Sequence, residues 1–320
     1  YENMNQELNA SMPEVLDTNT YINGPLVHQF QADLEKYLGV KHVIPCANGT
    51  DALQIAMMGL DLKPGDEVIT ADFTFAATVE VIALLQLTPV LVDVDMNNMN
   101  ISLDGIRKAI TPKTKAIVPV HLFGRAANMD AIMEIAKDHN LYVIEDNAQA
   151  IGADYTSKDG SKKKVGTIGH VAATSFFPSK NLGCYGDGGA IFTNDDALAH
   201  KIRGIVNHGM YERYHHDVVG VNSRLDSMQA GVLKAKLPHL DTYNKERQEA
   251  ARKYSLALGV NPNIWAPTIC ESCDCHVFHQ YVIRILNGKR DGLLEHLQAK
   301  GIPCAIYYPI PLHSQKAYAD

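Results

Sequence analysis

Residues 42–58 read HVIPCANGTDALQIAMM, in which a short apolar run is followed by a turn containing glycine and then by a helix-like pattern. The run from His42 to Cys46 predicts a buried strand, and the apolar spacing from Ala52 to Met58 predicts an amphipathic helix. A strand that passes through a short turn into a helix is the first half of a βαβ unit. This stretch therefore favours an α/β fold.

The same alternation continues as far as residue 193. The predicted strands are His42–Cys46, Glu67–Thr70, Pro89–Val94, Ala116–His121, Tyr142–Glu145, Val171–Phe176 and Ala190–Thr193. The predicted helices between them are Ala52–Met58, Thr78–Leu87, Asp104–Ile110 and Asp130–Asp138. Several strands are apolar throughout, which is typical of strands that helices cover on both faces. We therefore expect a three-layer α/β/α domain with a mostly parallel sheet.

The pattern changes after residue 222. A long helical stretch, Asp226–Leu258, precedes a predicted strand at Val277–Ile285 and a predicted helix at Lys289–Lys300. The polar stretch Ser157–Lys164 predicts a hairpin tip. We expect a large domain at residues 24–240, a smaller C-terminal α+β domain at 241–320, and an N-terminal segment at 1–23 that packs with the small domain.

The composition excludes several classes of function. The 320 residues carry a formal net charge of −7 and no Lys/Arg-rich block, whereas binding to nucleic-acid phosphates needs clustered positive charge. No unbroken apolar run is long enough to span a membrane. We find no secretion signal and expect a cytoplasmic protein, whose six cysteines are too sparse for a disulfide scaffold.

The turn at residues 46–53 is the first candidate for chemistry. A glycine-containing turn that leads into a helix N-terminus offers free backbone N–H groups and a positive dipole end to an anion such as phosphate, and Thr50 adds a hydroxyl. Taken alone, an ordinary helix cap with a turn glycine explains the same residues equally well. The turn lacks the Gly-Lys-Ser/Thr of a Walker A loop and the GxGxxG of a nicotinamide-binding fold.

Two further candidates follow later strands. Asp146 ends the strand at 142–145, where a carboxylate faces the crevice in which open α/β sheets bind ligands, although Asp is more often a helix cap at such a position. Lys180 follows the strand at 171–176 on a glycine-rich turn, where burial would make its amine nucleophilic; composition alone favours a solvated lysine. A phosphate site, a strand-end Asp and a lysine are together what pyridoxal phosphate (PLP) needs.

Four motifs occur in one order along the chain: Asn48–Leu53 (NGTDAL), Glu145–Gln149 (EDNAQ), Ser175–Lys180 (SFFPSK) and Gly220–Asp226 (GVNSRLD). Together they resemble the nucleotide-sugar aminotransferases of the DegT/StrS group, over essentially the whole chain. The resemblance implies a PLP-dependent enzyme of fold type I and a homodimer with active sites at the subunit interface. Members of the group extend beyond both ends of this chain, so we expect the small domain to be truncated.

The resemblance also implies roles for single residues. Lys180 and Asp146 would be catalytic, Lys180 as the Schiff-base lysine and general acid and base, and Asp146 as the partner of the pyridine nitrogen. Phe75 would stack on the ring and Gln149 would lie by its phenolic oxygen. The implied cofactor-binding residues are Gly49, Thr50, Asp51, Phe75, Asp146, Gln149, Ser175, Lys180 and, from the neighbouring subunit, Asn222.

The implied reaction is a transamination. L-glutamate would convert PLP to pyridoxamine phosphate, whose amine would then pass to a keto-sugar nucleotide. A histidine replaces the lysine in the PLP-dependent sugar dehydratases of the same group, so Lys180 favours transamination. A non-catalytic sensor or regulator that keeps the fold is a further alternative.

The substrate-side features are similar to the subgroup that aminates UDP-2-acetamido-2-deoxy-3-oxo-hexuronates. The implied substrate residues are Arg224, Tyr307, Tyr308 and His215. Arg224 would come from the partner subunit and pair with the sugar carboxylate. That subgroup commonly has His at the position of Tyr307, so a 3-keto or 4-keto deoxysugar nucleotide is the alternative substrate.

The cysteines near residue 270 raise the question of a metal site. Cys270, Cys273, Cys275 and His276 have ligand-rich spacing, but no second Cys/His pair follows at zinc-finger distance. We expect no metal site.

Overall fold

The computed structural model describes residues 5–268 and 275–318. The helices, in chain order, are α1 (Asn5–Thr18), α2 (Pro25–Leu38), α3 (Gly49–Gly59), α4 (Ala77–Leu84), α5 (Leu103–Ala109), α6 (Met129–His139), α7 (Asp196–Ile205), α8 (Ser227–Lys236), α9 (Leu240–Leu258) and α10 (Arg290–Ala299). The strands are β1 (His42–Cys46), β2 (Glu67–Ala71), β3 (Thr88–Val92), β4 (Thr114–Val118), β5 (Tyr142–Asp146), β6 (Asp154–Thr156), β7 (Lys162–Lys164), β8 (Val171–Ser175), β9 (Gly189–Thr193), β10 (Met210–Glu212), β11 (His215–His216), β12 (Ile264–Trp265) and β13 (Arg284–Ile285).

The central sheet has seven strands in the order β1-β9-β8-β5-β4-β2-β3. The ladder from β8 through β5, β4 and β2 to β3 is parallel throughout. Only β9 runs against its neighbours, pairing antiparallel with both β1 and β8. The seven strands predicted before residue 194 all lie in this sheet, and the predicted α/β fold with a mostly parallel sheet is confirmed.

Helices cover both faces of the sheet. Val143 and Ile144 are neighbours on β5, and their side chains enter separate cores on opposite faces because side chains alternate along a strand. The core around Ile144 is closed by α3, α4 and α7. The core around Val143 is closed by α5 and α6, and a third core beside it contains residues of α1, α2 and α8. The result is the predicted three-layer arrangement.

The long helix predicted at Asp226–Leu258 is interrupted. α8 ends at Lys236, a short 3₁₀ turn spans Leu237–His239, and α9 begins at Leu240. Pro238 explains the break, because proline lacks the backbone N–H that an α-helix needs and its ring clashes with the preceding turn. Leu8 and Val15 of α1 lie in the core that α8 shares. The three predicted domain ranges remain predictions.

The strand predicted at Val277–Ile285 is mostly absent. Only Arg284–Ile285 forms a strand, β13, which pairs with β12. Upstream, the chain lies along residues 123–126, where the Val277 N–H donates to the Gly124 carbonyl at 2.9 Å. Gly124 has a φ of +96°, so its segment is not a strand and a ladder cannot propagate along it. The predicted hairpin is confirmed, since β6 and β7 pair antiparallel around it.

None of the helices within residues 5–268 and 275–318 combines the length and the apolar character that crossing a bilayer requires.

Candidate active site

The helix α3 begins directly after β1 and presents its N-terminus at the end of that strand. Asn48 caps the helix, since its side-chain oxygen accepts the Asp51 N–H at 2.8 Å. The N–H groups of Gly49 and Thr50 have no hydrogen-bond acceptor among the described residues. These two donors and the helix dipole form an anion site. The cap occupies the Asp51 N–H, and the cofactor-binding role that the resemblance implies for Asp51 stays a prediction.

Two glycines bring this turn against the neighbouring strands. A Cβ on Gly49 would lie 2.6 Å from the Cβ of Ser175, and a Cβ on Gly189 would lie 2.4 Å from the backbone carbon of Asn48. Ser175 Oγ accepts the Phe177 N–H at 3.3 Å, which leaves its hydroxyl proton for another acceptor. The turn and the end of β8 therefore form one cradle of hydrogen-bond donors.

Asp146 ends β5 and is 5% exposed. Its Oδ2 accepts the Thr78 hydroxyl at 2.8 Å, and its Oδ1 accepts the Ala148 N–H at 3.1 Å. Burial raises the pKa of Asp146, and the Thr78 and Ala148 donors, with the charge on Lys180, oppose that rise. Each carboxylate oxygen keeps a lone pair for a further donor, so a protonated ring nitrogen is a suitable partner.

Lys180 lies in the turn after β8, where its backbone N–H donates to the Phe177 carbonyl at 2.8 Å. Its side chain is partly buried. Burial lowers the pKa of the Lys180 amine, and the negative charge of Asp146 offsets part of that change. A lowered pKa increases the fraction of neutral amine, the form that attacks a carbonyl carbon.

Gln149 and Tyr308 form the next part of the site. Gln149 Oε1 accepts the Phe123 N–H at 2.6 Å, and its Nε2 donates to the Tyr308 hydroxyl at 3.4 Å. The Tyr308 ring stacks on Phe123 with centroids 6.4 Å apart, and burial raises the Tyr308 pKa to about 12. Phe75 is 59% exposed, with its ring centroid 6.5 Å from that of Tyr308. Tyr307 lies at the rim, edge-on to Phe123.

The remaining predicted residues are not joined to this group. Asn222 and His215 are exposed, and His215 lies in β11. In the part of the chain that the structure describes, no hydrogen bond or ion pair connects Asn222, Arg224 or His215 to Lys180 or Asp146. The Ser223 hydroxyl accepts the Ala47 N–H at 3.0 Å, which fixes the 220–226 motif beside the anion-binding turn.

Sequence reasoning missed a buried carboxylate next to Asp146. Glu145 is fully buried on the opposite face of β5, and its carboxylate accepts four hydrogen bonds. The donors, with their distances, are His121 Nε2 at 2.9 Å and the N–H groups of Gly166, Ile168 and Gly169 at 2.7, 2.7 and 2.6 Å. A charged residue inside an otherwise apolar strand was the available signal, because such a group needs partners when it is buried.

His121 connects this carboxylate to the catalytic candidate. Its Nδ1 accepts the Ala127 N–H at 3.1 Å, so the ring proton is on Nε2 and the imidazole that donates to Glu145 is neutral. The backbone N–H of His121 donates to the Asp146 carbonyl at 3.0 Å. Glu145 and His121 therefore hold the strand ends that carry Asp146.

Replacing Glu145 with Gln should lower the free energy of unfolding by about 3 kcal/mol at neutral pH, because the amide nitrogen would face two N–H donors. Burial raises the pKa of Glu145, but the His121 and backbone donors outweigh burial and the pKa lies below its ordinary value. The unfolded state then binds the proton more readily, so this stability is present above the unfolded pKa of about 4.3 and is lost as pH falls.

Thermal melts of wild type and Glu145→Gln from neutral pH down to about pH 3.5 should therefore converge at the acid end. Glu134→Gln is the matched control, since Glu134 is exposed and its carboxylate pairs with Lys158 at 3.5 Å. A gap between Glu145→Gln and wild type that stays constant with pH would contradict an ionised Glu145 in the folded state.

The residues present fit PLP. The cofactor needs donors for a phosphate, and the unsatisfied N–H groups of Gly49 and Thr50 lie beside the Ser175 hydroxyl. It needs an anion for the ring nitrogen and an amine for the aldehyde, which Asp146 and Lys180 provide. It also needs a ring contact, which the exposed face of Phe75 offers.

The cysteine cluster near residue 270 is only partly described. Cys270 and Cys273 lie outside the described residues. Among residues 5–268 and 275–318, no group of three or more His, Cys, Asp or Glu side chains is arranged to hold a metal ion.

Comparison with known proteins adds independent findings. A profile of the DegT/DnrJ/EryC1/StrS aminotransferase family matches residues 2–320. A protein of Pseudomonas aeruginosa named UDP-2-acetamido-2-deoxy-3-oxo-D-glucuronate aminotransferase is 48% identical over 317 residues, which cover 98% of this chain and 85% of that protein. The UDP-N-acetyl-3-dehydro-alpha-D-glucosamine 3-aminotransferase of Acidithiobacillus ferrooxidans is 46% identical, covering 99% of this chain and 83% of that protein.

Two other matches are a relative whose name is that of a regulator and a solved structure. A protein of Geobacillus stearothermophilus named pleiotropic regulatory protein is 47% identical over 322 residues, covering 100% of this chain and 84% of that protein. Among solved structures, S. venezuelae DesV in complex with a ketimine intermediate superposes with a TM-score of 0.94 at 41% identity, covering 100% of this chain and 84% of that one.

Proposed function

The chain belongs to the DegT/DnrJ/EryC1/StrS aminotransferase family, and from this premise we propose that it aminates C3 of a 3-keto UDP-N-acetylhexuronate with L-glutamate as donor. It is a PLP-dependent transaminase of keto-sugar nucleotides, as its relatives are. The observation that carries the finer assignment is the 48% identity over 98% of the chain to the Pseudomonas aeruginosa uronate aminotransferase. The product would be a 3-amino sugar for a surface polysaccharide.

The cofactor would be held by donors for which the described residues offer no other acceptor. Gly49 and Thr50 would bind its phosphate through their N–H groups, and Ser175 would add a hydroxyl. Asp146 would keep a proton on the ring nitrogen, and Phe75 would lie against the ring. When bound, PLP supplies an electron sink next to the carbon that loses its proton.

Lys180 would move that proton. Its amine is partly desolvated and its pKa is lowered by burial, so it can take a proton and return it near neutral pH. Asp146 is close enough to interact with Lys180 electrostatically, and its anion stabilises the protonated amine after each transfer. One side chain can therefore serve both halves of the reaction, first with the amino-acid donor and then with the sugar.

The active sites would be shared within a homodimer. Asn222, Arg224 and His215 make no hydrogen bond or ion pair with Lys180 or Asp146 in the described part of one chain. Asn222 and His215 are exposed, which suits residues that face a second copy. We place Asn222 on the cofactor phosphate of the partner's site, and Arg224 and His215 on its substrate.

Sugar recognition would involve Arg224 and the two tyrosines. Arg224 would bind the C6 carboxylate of the uronate, since a guanidinium matches a carboxylate in two hydrogen bonds. Tyr308 hydrogen-bonds to Gln149 and so lies between the cofactor site and the rim, where Tyr307 is 39% exposed. Both tyrosine hydroxyls would face the sugar.

The substrate assignment predicts a ranking. The enzyme and L-glutamate should aminate the 3-keto uronate more efficiently than 3-keto UDP-N-acetylglucosamine, whose sugar is uncharged, or a 4-keto deoxysugar nucleotide. The 3-keto uronate is made in place by oxidation of the C3 hydroxyl of the parent UDP-N-acetylhexuronate. Arg224→Gln should lower kcat/KM for the uronate by about 100-fold, since a charge-assisted bidentate contact is lost, and should change kcat/KM for the uncharged 3-keto sugar by less than about threefold. Formation of 2-oxoglutarate and of the amino sugar reports both.

Equal losses on both substrates in Arg224→Gln would contradict a carboxylate contact, and a preference for the 4-keto deoxysugar would overturn the uronate assignment.

The name of the Geobacillus stearothermophilus relative raises a regulatory role as a second candidate. Lys180, Asp146 and Gln149 are all present here, which favours catalysis. Lys180 also stands where the related dehydratases have histidine.

The reaction is assigned to the cytoplasm as part of the same proposal. Cys46 and Cys184 are buried free thiols, which suits a reducing compartment.

A further inference from the structure

The segment from Asp72 to Thr78 is fixed at both ends. At its start, the Asp72 carboxylate accepts the His313 backbone N–H at 2.9 Å and contacts the His313 ring at 2.6 Å. At its end, Thr78 contacts Asp146. Phe75 lies between the two anchors with its ring exposed. One short segment thus carries both the exposed Phe75 ring and the hydroxyl that contacts Asp146.

Thr78 is 1% exposed, in the first turn of α4. Its Oγ1 is 2.8 Å from Asp146 Oδ2, and the Thr74 hydroxyl is at the limit of hydrogen-bond distance, 3.5 Å. An ionised carboxylate only accepts, so the Thr78 hydroxyl is the donor. In a buried site this bond cannot be replaced by water without rearrangement.

We propose that Thr78 is a positioning residue for Asp146: its hydroxyl holds the carboxylate ionised and turned toward the ring nitrogen of the cofactor. The Ala148 N–H holds the other oxygen, at 3.1 Å, so each oxygen has one protein donor and one lone pair left. With the Thr78 hydroxyl absent, Oδ2 would lose this donor and the Ala148 N–H would hold the carboxylate through Oδ1. The inference rests on the proposed cofactor site and adds a residue to it.

The charged and titratable groups around Asp146 come from several elements. Lys180 approaches from the turn after β8, and His121 approaches from the end of β4, where its ring contacts Glu145 through Nε2 and accepts the Ala127 N–H at Nδ1. Tyr308 approaches from the C-terminal segment and stays protonated. The donors in direct contact with the Asp146 carboxylate are the Thr78 hydroxyl and the Ala148 N–H, so these two neutral groups support the anion at its oxygens.

The test measures PLP binding by the apoenzyme. Purified enzyme is stripped of cofactor, and PLP is titrated back between pH 5 and 9 while absorbance and protein fluorescence are followed. Thr78→Val removes the hydroxyl and keeps the shape. It should raise the Kd for PLP about 10- to 100-fold at neutral pH, since a hydrogen bond to a charged group is lost.

The pH dependence identifies the cause. Without the hydroxyl the pKa of Asp146 rises further, and a protonated carboxyl cannot pair with a protonated ring nitrogen. The acid side of the binding profile should therefore move to higher pH in Thr78→Val, by about one unit for each tenfold loss in affinity. Thr78→Ser restores the hydroxyl and should restore most of the affinity and the wild-type profile.

Thr70→Val is the matched control. Thr70 is also a fully buried threonine, but its hydroxyl donates to the Val118 carbonyl at 2.9 Å and not to the Asp146 carboxylate. It should lower the melting temperature without moving the binding profile. An unshifted profile in Thr78→Val, or the same shift in Thr70→Val, would overturn the role of Thr78 alone. Failure of wild type to bind PLP would overturn the proposed function and this inference with it.

Discussion

Lys180→Ala should lose turnover by about 10⁴-fold, because in the proposed site the side chain that binds the cofactor covalently and the base that moves the proton are the same group. The folded structure should survive, since the Lys180 backbone N–H keeps its bond to the Phe177 carbonyl. Turnover is measured as 2-oxoglutarate formed from L-glutamate in the presence of a keto-sugar nucleotide. Circular dichroism and melting temperature check the fold.

Lys180→Arg separates the effect of a positive charge near Asp146 from the nucleophile and base functions of the lysine amine. Arginine keeps a positive charge near Asp146 but does not lose its proton near neutral pH, so it can act neither as nucleophile nor as base. We expect it to be as inactive as Lys180→Ala. Lys158→Ala, which removes a lysine that is 72% exposed, should leave turnover unchanged. Turnover of more than about 1% in either Lys180 variant would contradict the assigned role.

Asp146→Asn should lower kcat/KM for L-glutamate by about 10²- to 10³-fold, as expected when one partner of a buried charge pair is removed. The change is nearly isosteric and Thr78 can still donate to the amide oxygen, but the amide nitrogen would face the Ala148 N–H, so the variant should also be less stable. The loss in the reaction with L-glutamate should come from the ring nitrogen, which no longer has an anion to keep it protonated. The glutamate half-reaction, followed alone by absorbance, isolates this effect from sugar binding.

Asp154→Asn is the control for this substitution. Asp154 lies in the β6 strand and pairs with Lys164 at 2.9 Å, outside the site, so its variant should retain wild-type kcat/KM. An Asp146→Asn enzyme within about threefold of wild type would show that the ring nitrogen does not depend on this carboxylate.

The sheet was predictable because its strands carry continuous apolar runs. A run such as Val143-Ile144 has to be buried on both faces, which only a strand between two helical layers achieves. Of the two errors, one was local and the other came from tertiary context. The break at Pro238 was visible in the sequence but was outweighed by the helical pattern on either side. The apolar segment after Cys275 was expected to find a strand partner, and its neighbour is instead a turn at Gly124.

The site was predictable where chemistry requires a residue type at a strand end. Lys180, Asp146 and the turn at Gly49 all follow strands, so their convergence could be anticipated from the parallel sheet. Thr78 and His121 could not be found in this way, because their importance depends on which atoms they reach across the fold. The hydrogen bond from the Asp51 N–H to the Asn48 side chain likewise could not be predicted, since an Asn before a helix does not always cap it.

In the proposed reaction, Lys180 is the residue of the transaminase that bears the cofactor. The most direct test is to load the full chain with PLP, record its visible absorption, reduce a sample with borohydride and map the peptides. We predict a visible band that bleaches on addition of L-glutamate, and a cofactor mass fixed to the peptide containing Lys180. A band that does not respond to L-glutamate, or a reduced adduct on any other lysine, would contradict the account.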